Sequence, residues 1–238
     1  MRYLDLTLAT PAENLACDEA LLEAVECGAG EVLRVWEPQR YFVVVGYANS
    51  VAVEVRRAEC DRRRIPILRR CTGGGTVLQG PGCLNYSLVL RIDATPALHG
   101  ITATNQFILE RHQSVVSRVL KETILARGHT DLAIGTLKIS GNAQRRRRRF
   151  LLFHGCFLLN MDLSLIERAL PMPSKQPDYR CDRAHRDFLV NLRADEAQLK
   201  PALASEWGAT EPLPNFPAER VEKLALEKYS RRDWNYRF

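Results

Sequence analysis

The chain has 238 residues, of which 46% are hydrophobic and 26% are charged. This length and composition allow one large domain with a sizeable core. No run of about 18 apolar residues is present, so the sequence predicts no membrane span, and the N-terminus lacks the apolar segment of a signal peptide. Seven cysteines without a Cys-x-x-Cys pair indicate reduced thiols in a cytoplasmic protein rather than disulfides or a zinc site.

The excess of positive charge is mostly arginine and is clustered. Lys and Arg number 34 against 28 Asp and Glu, which gives a net charge of +6. The longest cluster is the five-residue run Arg145 to Arg149. Clustered arginine is typical of contacts with nucleic acid, a phosphorylated ligand or an acidic protein, and a solvated basic face is the commoner explanation for any one cluster.

The first half of the chain predicts strands around one early helix. An edge strand is predicted over Arg2 to Leu8, and Thr10-Pro11-Ala12-Glu13 is a capping box that opens a helix ending at Gly28. A short helix is predicted over Glu54 to Arg64. The β-rich runs are Val32 to Trp36, Tyr41 to Val45, Pro66 to Arg70 and Leu84 to Ile92.

The second half begins with the longest predicted helix, which Thr104 caps and Gly128 stops. Predicted strands follow at Asp131 to Ile134, Leu137 to Gln144, Arg149 to Phe153 and Phe157 to Met161, and predicted helices at Leu163 to Leu170, Ala194 to Trp207 and Pro217 to Glu227. Because strands and helices mix without βαβ regularity, the sequence predicts an α+β fold.

Three consecutive glycines form the most informative stretch. Arg69 and Arg70 close a strand, and Gly73, Gly74 and Gly75 follow before an apolar run resumes. Glycine lets another group approach the backbone closely, and uncovered N–H groups beside guanidinium groups make an anion site. A flexible turn between strands is the alternative. The P-loop pattern fails, since Pro81 and Gly82 stand where Lys and Ser/Thr are required.

Two further stretches carry polar groups. Lys138-Ile139-Ser140-Gly141-Asn142-Ala143-Gln144 offers a point charge beside small residues that leave room for a ligand. In His154-Gly155-Cys156, the His and Cys are two residues apart on a predicted strand and can share a face. A solvent-facing lysine and a core histidine are the alternatives, and a cysteine nucleophile is a third possibility.

Together these stretches resemble the lipoate–protein ligase A group of the biotin/lipoate ligase superfamily. The resemblance is carried by residues 69 to 77, 138 to 145 and 154 to 160, in this order and spacing. Residues 14 to 21 resemble the family's opening helix, and Leu33 to Trp36 followed by Val44 to Gly46 resemble its first β hairpin. The resemblance implies a mostly antiparallel sheet with flanking helices. It also implies one catalytic domain over residues 1–238, with its core at about 14–210 and C-terminal helices packed on it in place of an accessory domain.

The resemblance also implies an activity and a site. A ligase of this group activates lipoate with ATP and Mg²⁺ to lipoyl-AMP, and then transfers the lipoyl group to a lysine of a lipoyl-domain acceptor. Lys138 is the implied catalytic residue, and no metal-ligating residue is implied. The implied substrate- and nucleotide-binding residues are Arg70, Gly73, Gly74, Gly75, Thr76, Val77, Ser140, Gly141, Ala143 and His154.

Several alternatives stay open at this point. Gln79-Gly80-Pro81-Gly82 is similar to the corresponding sequence of octanoyltransferases, which use a cysteine nucleophile. The segment Leu125 to Asp131, where one group of transferases carries that cysteine, contains none, and this favours the ATP-dependent ligase. A non-catalytic lipoyl-domain binder is a third hypothesis. The expected partners are lipoyl-domain proteins, with a separate small accessory subunit as an option, and neither nucleic acid nor a membrane.

The arginine run is predicted to lie at a hairpin tip between the strands of Lys138 and His154. Five adjacent positive charges repel one another, so stability does not explain them. Docking of an acidic acceptor domain is one hypothesis, and a solvated turn is the other.

Overall fold

A computed structural model describes residues 1–238. Its strands are β1 (Arg2–Asp5), β2 (Val32–Trp36), β3 (Phe42–Val45), β4 (Ile67–Arg69), β5 (Val77–Gln79), β6 (Cys83–Arg91), β7 (Leu125–Arg127), β8 (Asp131–Ile134), β9 (Leu137–Arg146), β10 (Phe150–Leu158) and β11 (Glu211–Pro212). Its α-helices are α1 (Pro11–Glu26), α2 (Val51–Glu54), α3 (Arg57–Arg62), α4 (Ile101–Leu120), α5 (Leu163–Ala169), α6 (His185–Phe188), α7 (Glu196–Glu206), α8 (Ala218–Leu224) and α9 (Arg232–Asn235). No helix is both long and apolar enough to cross a lipid bilayer.

Two sheets organise the chain. The large sheet has eight strands in the order β11-β1-β2-β6-β10-β9-β8-β7, and the small sheet has the order β4-β3-β5. Only the pairs β11–β1, β1–β2 and β3–β4 are parallel. The predicted α+β fold with a mostly antiparallel sheet is therefore confirmed.

Helices cover both faces of the large sheet. On one face, α4 and α7 contribute Ile108, Val115, Leu199 and Leu203 to a core that includes Tyr86, Phe153 and Phe157. On the other face, α1 and α8 pack with Val89 and Leu152 of the sheet and with Phe42 and Val44 of the small sheet. A third core joins the small sheet to α5 and to the ends of β6 and β10. The second and third cores lie on the same face of the large sheet.

The opening helix forms as its sequence predicts. Thr10 caps α1, with reciprocal hydrogen bonds between Thr10 and Glu13, and Gly28 adopts φ +103° just after the helix. Eleven of its sixteen residues are buried, among them the polar residues Asn14, Asp18 and Glu19. Buried polar groups require partners, and the partners of Asp18 and Glu19 connect α1 to the glycine loop and to the C-terminal segment.

The predicted first hairpin is wrong. Strand β2 pairs with β1 and β6 in the large sheet, whereas β3 pairs with β4 and β5 in the small sheet. Pro38 and the turn around it carry the chain from one sheet to the other. Two β-rich runs separated by a proline do not reveal whether they pair with each other, and here they belong to different layers.

Two predicted boundaries in the second half are also corrected. Helix α4 begins at Ile101 and ends at Leu120, where Lys121 is left-handed at φ +55°. Thr104 does not cap it, because Gly100 is the N-cap residue and Thr104 lies inside the first turn, where its hydroxyl accepts a hydrogen bond from Arg146 Nη1 at 3.0 Å. The two strands predicted around His154 form one continuous strand, β10, which pairs with β6 along its whole length.

Buried His112 makes folding stability depend on pH. Its Nε2 accepts a hydrogen bond from Trp207 Nε1 at 2.9 Å, and its ring packs edge-on against Tyr86. Burial lowers the pKa of His112 from 6.5 to about 3. Below pH 6.5 the unfolded chain therefore binds a proton that the folded chain does not, and the folded state loses stability as pH falls.

We therefore expect the free energy of unfolding to decrease by up to about 1.4 kcal/mol per pH unit below pH 6.5 because of this one group. Urea unfolding at pH 7 and pH 5 measures it. His112→Gln keeps an acceptor for Trp207 and should show a smaller difference between the two pH values than the wild type. Equal differences in the two proteins would contradict the assignment.

Candidate functional site

The glycine loop, residues 71–76, connects β4 to β5 and packs tightly at one of its glycines. Gly74 has φ +84°, and a Cβ there would lie 2.9 Å from Arg70 Nη2 and 3.3 Å from the Cβ of Ala143. A Cβ on Gly46 would lie 2.1 Å from the carbonyl oxygen of Gly74. Gly73 and Gly75 have open space around the position of a Cβ. Gly74 therefore fixes the loop, while its two neighbours leave room for another group.

Backbone N–H groups of this loop lack partners within the chain. None of the amides of Gly73, Gly74, Gly75 and Thr76 donates a hydrogen bond. Thr76 is instead anchored through its hydroxyl, which accepts from Asn49 Nδ2 at 3.3 Å. Successive unpaired N–H groups form a concave anion site, so the loop offers backbone donors to a phosphate or carboxylate.

Arg70 shapes this loop from within. Its guanidinium donates to the carbonyl oxygens of Gly73 and Gly75, at 2.5 Å and 2.7 Å from Nη2, and to Thr72 Oγ1 at 2.9 Å from Nε. Burial lowers the pKa of Arg70 to about 10, which leaves it charged at neutral pH. These bonds direct the carbonyl oxygens of Gly73 and Gly75 toward Arg70, so that its positive charge lies next to the loop. A contact of Arg70 with a ligand stays a prediction.

His154 connects the glycine loop to α1. Its Nε2 lies 2.7 Å from Thr72 Oγ1, and its Nδ1 lies 2.9 Å from Asp18 Oδ2. The other oxygen of Asp18 accepts from Arg34 Nη1 at 2.8 Å, and both of those side chains are almost fully buried. Burial alone would raise the pKa of Asp18, but the hydrogen bond to His154 and the charge of Arg34 bring the pKa below its ordinary value. His154 thus positions Thr72.

A β-bulge sets the direction of Lys138. The pairing of β8 with β9 shifts between Leu132 and Ala133, opposite Ser140 and Lys138. As a result Lys138 lies on the same side as Gly141, three residues away, and a Cβ on Gly141 would lie 2.8 Å from Lys138 Nζ. Strict alternation would place residues three apart on opposite faces. The missing side chain at Gly141 is what makes room for the ammonium group.

Two residues that the sequence did not indicate hold this lysine. Lys138 Nζ lies 2.8 Å from Asp131 Oδ1, and Tyr179 donates to Asp131 Oδ2 at 2.9 Å. The backbone of Lys138 also accepts from Val190 N at 3.0 Å. Residues 178–190, which the sequence shows only as a loop after prolines, therefore wrap the lysine strand. The one sequence feature that could have indicated Asp131 is its position at the start of the strand before the Lys138 motif.

Ser140 lies on the face of β9 opposite to that of Gly141. It pairs with Phe157 across β9 and β10, and Phe157 belongs to the core under α4. Neighbouring residues on a strand point to opposite faces, so Ser140 faces that core while Gly141 faces the glycine loop. The structure therefore does not bring Ser140 together with the other predicted site residues, and its role in binding stays a prediction.

A band of small and polar residues crosses the large sheet below the loop. Register places Trp36, Asn85, Cys156 and Gly141 in one row across β2, β6, β10 and β9, and Arg34, Ser87, His154 and Ala143 in the next row. The apolar cores of this face lie on either side of the band, and Val77 of the small sheet packs against one of them. Three buried polar atoms near the band, Trp36 Nε1, Gln79 Oε1 and Ser87 Oγ, have no hydrogen-bond partner. Such a band is where a ligand would lie.

Cys156 is part of this band, whereas Cys71 is not. A hydrogen bond with Cys83, together with the charge of Lys138, lowers the pKa of Cys156 even though burial opposes this. Burial raises the pKa of Cys71, which packs in the core under α1. The ATP-dependent ligase that the sequence favours needs no catalytic cysteine, and this stays a prediction. A catalytic role of Cys156 would contradict it.

Sequence comparison decides the family. The family model of the lipoyl protein ligase A/B catalytic domain matches residues 10–198. The chain belongs to this family. This match confirms the resemblance that the three motifs carry, and it covers the glycine loop, the Lys138 strand and the His154 strand.

Individual relatives of the lipoyl protein ligase A/B family include both ligases and transferases. Lipoate–protein ligase 1 of Staphylococcus aureus is 29% identical over 241 residues, covering 96% of this chain and 71% of that protein. Octanoyltransferase LipM of Carboxydothermus hydrogenoformans is 28% identical over 274 residues, covering 100% of this chain and 98% of that protein. A crystal structure of lipoate–protein ligase A bound with ATP matches with a TM-score of 0.83 and 25% identity, covering 99% of this chain and 98% of that one.

Replacing each of the three loop glycines with alanine should change the free energy of unfolding by different amounts. Gly74→Ala should destabilise the protein by about 1–3 kcal/mol, because it strains a left-handed residue and forces a Cβ against Arg70. Gly73→Ala and Gly75→Ala should change the free energy of unfolding by less than about 0.5 kcal/mol. Urea unfolding measures all three. If Gly73→Ala or Gly75→Ala destabilises as much as Gly74→Ala, the described loop conformation is wrong.

Proposed function

We propose that this chain is a lipoate–protein ligase. It activates lipoate with ATP to form lipoyl-AMP and pyrophosphate, and it transfers the lipoyl group to a lysine of an acceptor lipoyl domain. The observation that carries the proposal is the placement of the Lys138 ammonium group over the polar band, on the face of the sheet that the glycine loop covers. Relatives named lipoate–protein ligase and a similar ATP-bound ligase structure support it.

Different residues of the site suit different parts of the two substrates of the adenylation step. The unpaired amides of the glycine loop suit the phosphate groups, and Val77 with the apolar walls suits the acyl chain. Lys138 suits the region between them, where negative charge develops as the carboxylate attacks the α-phosphate. A positioned cation there stabilises the transition state more than the ground state. Lys138 must exchange its ion pair with Asp131 for contacts with the substrate.

In this proposal Mg²⁺ is bound by the phosphate groups of ATP. No group of three His, Cys, Asp or Glu side chains comes together in the structure. Mg²⁺ commonly binds through substrate phosphates and water with few protein ligands. We assign no step to a protein-held metal.

The seven cysteines are free thiols, which fits a reducing cytoplasmic setting.

The second candidate is an octanoyltransferase. Cys156 lies in the band, and the LipM relative matches this chain over nearly its whole length. Dependence on ATP separates the two candidates. With lipoate, ATP and an apo lipoyl domain, the ligase proposal predicts lipoylation and release of pyrophosphate. Acylation of the lipoyl domain from an octanoyl thioester without ATP, together with no activity from lipoate and ATP, would establish the transferase.

The acceptor is expected to be a lipoyl domain. A bipartite lipoate protein ligase of Thermoplasma acidophilum, described together with its E2 lipoyl domain, has the same fold with a TM-score of 0.83 and 24% identity, covering 99% of this chain and 95% of that one. A separate small accessory subunit is therefore part of the proposal. Adding the acceptor with and without a purified accessory subunit from the same organism tests whether this chain needs one for either step.

The arginine run has only two charges free for a partner. The run does lie at the β9–β10 hairpin, but Arg145 pairs with Glu19 at 2.9 Å and Arg147 with Glu26 at 2.9 Å. Arg146 donates to the carbonyl oxygen of Leu98 at 2.6 Å. Three of the five arginines therefore hold the hairpin against α1 and α4, and the hypotheses of a solvated turn and of a docking surface now concern only the other two.

Arg148 and Arg149 are exposed and make no ion pair. If acidic lipoyl domains dock there, the double substitution of Arg148 and Arg149 by Gln should slow lipoyl transfer at low salt. Adenylation should be unchanged, and the defect should shrink as salt screens the charges. Arg62→Gln with Arg64→Gln is the matched control on another surface. Equal transfer rates at low salt would contradict docking at the hairpin.

A further inference from the structure

One buried arginine joins the C-terminal helix to the edge of the glycine loop. Arg69 ends β4 directly before that loop, and its side chain is fully buried. Its Nη1 donates to the backbone oxygens of Gly46, Tyr47 and Asn49, at 2.8, 3.0 and 2.8 Å. One guanidinium group therefore fixes the backbone of residues 46–49, which lie beside the glycine loop.

The segment that Arg69 fixes is bonded in turn to two carbonyl oxygens of the glycine loop. Tyr47 N donates to the backbone oxygen of Thr72 at 2.8 Å, and Asn49 Nδ2 donates to the backbone oxygen of Gly74 at 3.2 Å. A carbonyl group and the N–H group of the following residue belong to one planar peptide unit. Each of these bonds therefore also fixes the direction of the N–H group that follows, and both of those N–H groups are among the unpaired amides of the loop.

Helix α9 supplies the remaining partners of Arg69. Asn235 Oδ1 accepts from the Arg69 backbone N at 2.9 Å, and the Asn235 backbone oxygen accepts from Arg69 Nη2 at 3.2 Å. The Trp234 backbone oxygen accepts from Arg69 Nε at 3.2 Å, and Trp234 Nε1 donates to the Arg69 backbone oxygen at 2.9 Å. The Trp234 ring also packs against Tyr47, with the ring centroids 5.9 Å apart. Two adjacent residues of α9 thus hold both the backbone and the side chain of Arg69.

Helix α9 is itself attached to the body of the fold. Asn235 is buried, and its Nδ2 donates to the backbone oxygen of Tyr229 at 2.9 Å. The Tyr229 hydroxyl donates to Glu19 Oε2 of α1 at 2.7 Å, and Lys228 pairs with the same carboxylate. The position of α9 is therefore fixed by α1, and Arg69 transmits that position to the glycine loop.

We propose that Trp234 and Asn235 are positioning residues, which raise the affinity of the glycine loop for the phosphate groups of ATP. This inference rests on the proposed function, in which the amides of that loop bind the nucleotide. Both residues act through Arg69 and residues 46–49, and neither takes part in the reaction. Donors that are held in place before an anion binds lose less conformational entropy on binding, so loosening them weakens the complex.

Equilibrium binding of ATP with Mg²⁺, in the absence of any acid, tests this role. Asn235→Ala and Trp234→Phe each remove a side-chain hydrogen bond to Arg69, and each should raise the Kd for ATP by about 3- to 10-fold. In assays of pyrophosphate release with lipoate, KM for ATP should rise by the same factor while kcat stays unchanged, as expected when binding of the ground state and of the transition state is lost equally. If one of the two variants does not fold, the other decides.

Trp207→Phe is the matched control. It removes an indole N–H bond of the same length, 2.9 Å to His112, in the core on the other face of the large sheet. Urea unfolding should show a loss of stability in this variant as well, because His112 then lacks its donor. The Kd for ATP should nevertheless equal that of the wild type, since Trp207 has no contact with Arg69 or with the glycine loop.

Unchanged affinity for ATP in the folded variants of α9 overturns the inference. An equal loss of affinity in Trp207→Phe also overturns it, because affinity would then follow stability and not the position of the loop. If no acid releases pyrophosphate, but the Kd for ATP still rises in Asn235→Ala or Trp234→Phe alone, the ligase proposal fails and the positioning role stands. If the wild type does not bind ATP, both are wrong.

Discussion

Replacing Lys138 with alanine is expected to slow formation of the acyl adenylate by about 100- to 1000-fold. This is the effect of removing one positioned donor from a site where charge develops, about 2.7–4 kcal/mol. The ammonium group reaches over Gly141 toward the polar band, and no other lysine lies on that face of the β9 hairpin. Single-turnover assays of lipoyl-AMP formation measure the loss.

Stability must be checked in the same variant. Lys138→Ala leaves the buried carboxylate of Asp131 with Tyr179 as its remaining side-chain partner. The double variant Lys138→Ala with Asp131→Asn removes that unpaired charge and should unfold at a temperature closer to that of the wild type, with adenylation still lost. Lys121→Ala, at the exposed end of α4, is the control and should keep full activity. Near wild-type adenylation by folded Lys138→Ala would contradict the role of Lys138.

Replacing Arg34 with alanine is expected to destabilise the fold by about 3–5 kcal/mol, because the buried Asp18 loses its arginine partner and keeps only His154. Arg34 is fully buried and also donates to the backbone oxygens of Leu6 and Asn14. Because Asp18 orients His154, and His154 holds Thr72, the glycine loop should also loosen.

Urea unfolding of Arg34→Ala measures this effect, and Arg2→Ala provides the contrast. Arg2 also lies on a strand and pairs with Glu211, but both of those side chains are exposed. Exposed pairs contribute about 1 kcal/mol or less. Similar losses in the two variants would show that the Asp18–Arg34–His154 network does not support the loop.

The local features of the fold could be predicted from the sequence. The capping box of α1, the loop glycines and the hairpin at the arginine run each follow from a few adjacent residues. The shared face of His154 and Cys156 followed from their spacing, and both lie in the polar band.

Features that depend on distant pairing could not be predicted. The bulge that turns Lys138 toward Gly141 exists only because of the register between β8 and β9. Tyr179 reaches Asp131 across 48 positions of sequence. The run of five arginines did not show which of them have partners, because three of them reach α1 and the segment before α4 only in the folded sheet. Motif spacing also does not show which face a side chain takes, and Ser140 lies on the face opposite to that of Gly141.

The most direct test of the central claim is pyrophosphate release by the purified chain with ATP, Mg²⁺ and either lipoate or octanoate, followed by mass spectrometry of an apo lipoyl domain. The ligase proposal predicts acid-dependent pyrophosphate release and a lipoyl group on one lysine of the acceptor, both lost in Lys138→Ala. The absence of pyrophosphate release with every acid, with and without an accessory subunit, together with acylation from an octanoyl thioester in the absence of ATP, would contradict it.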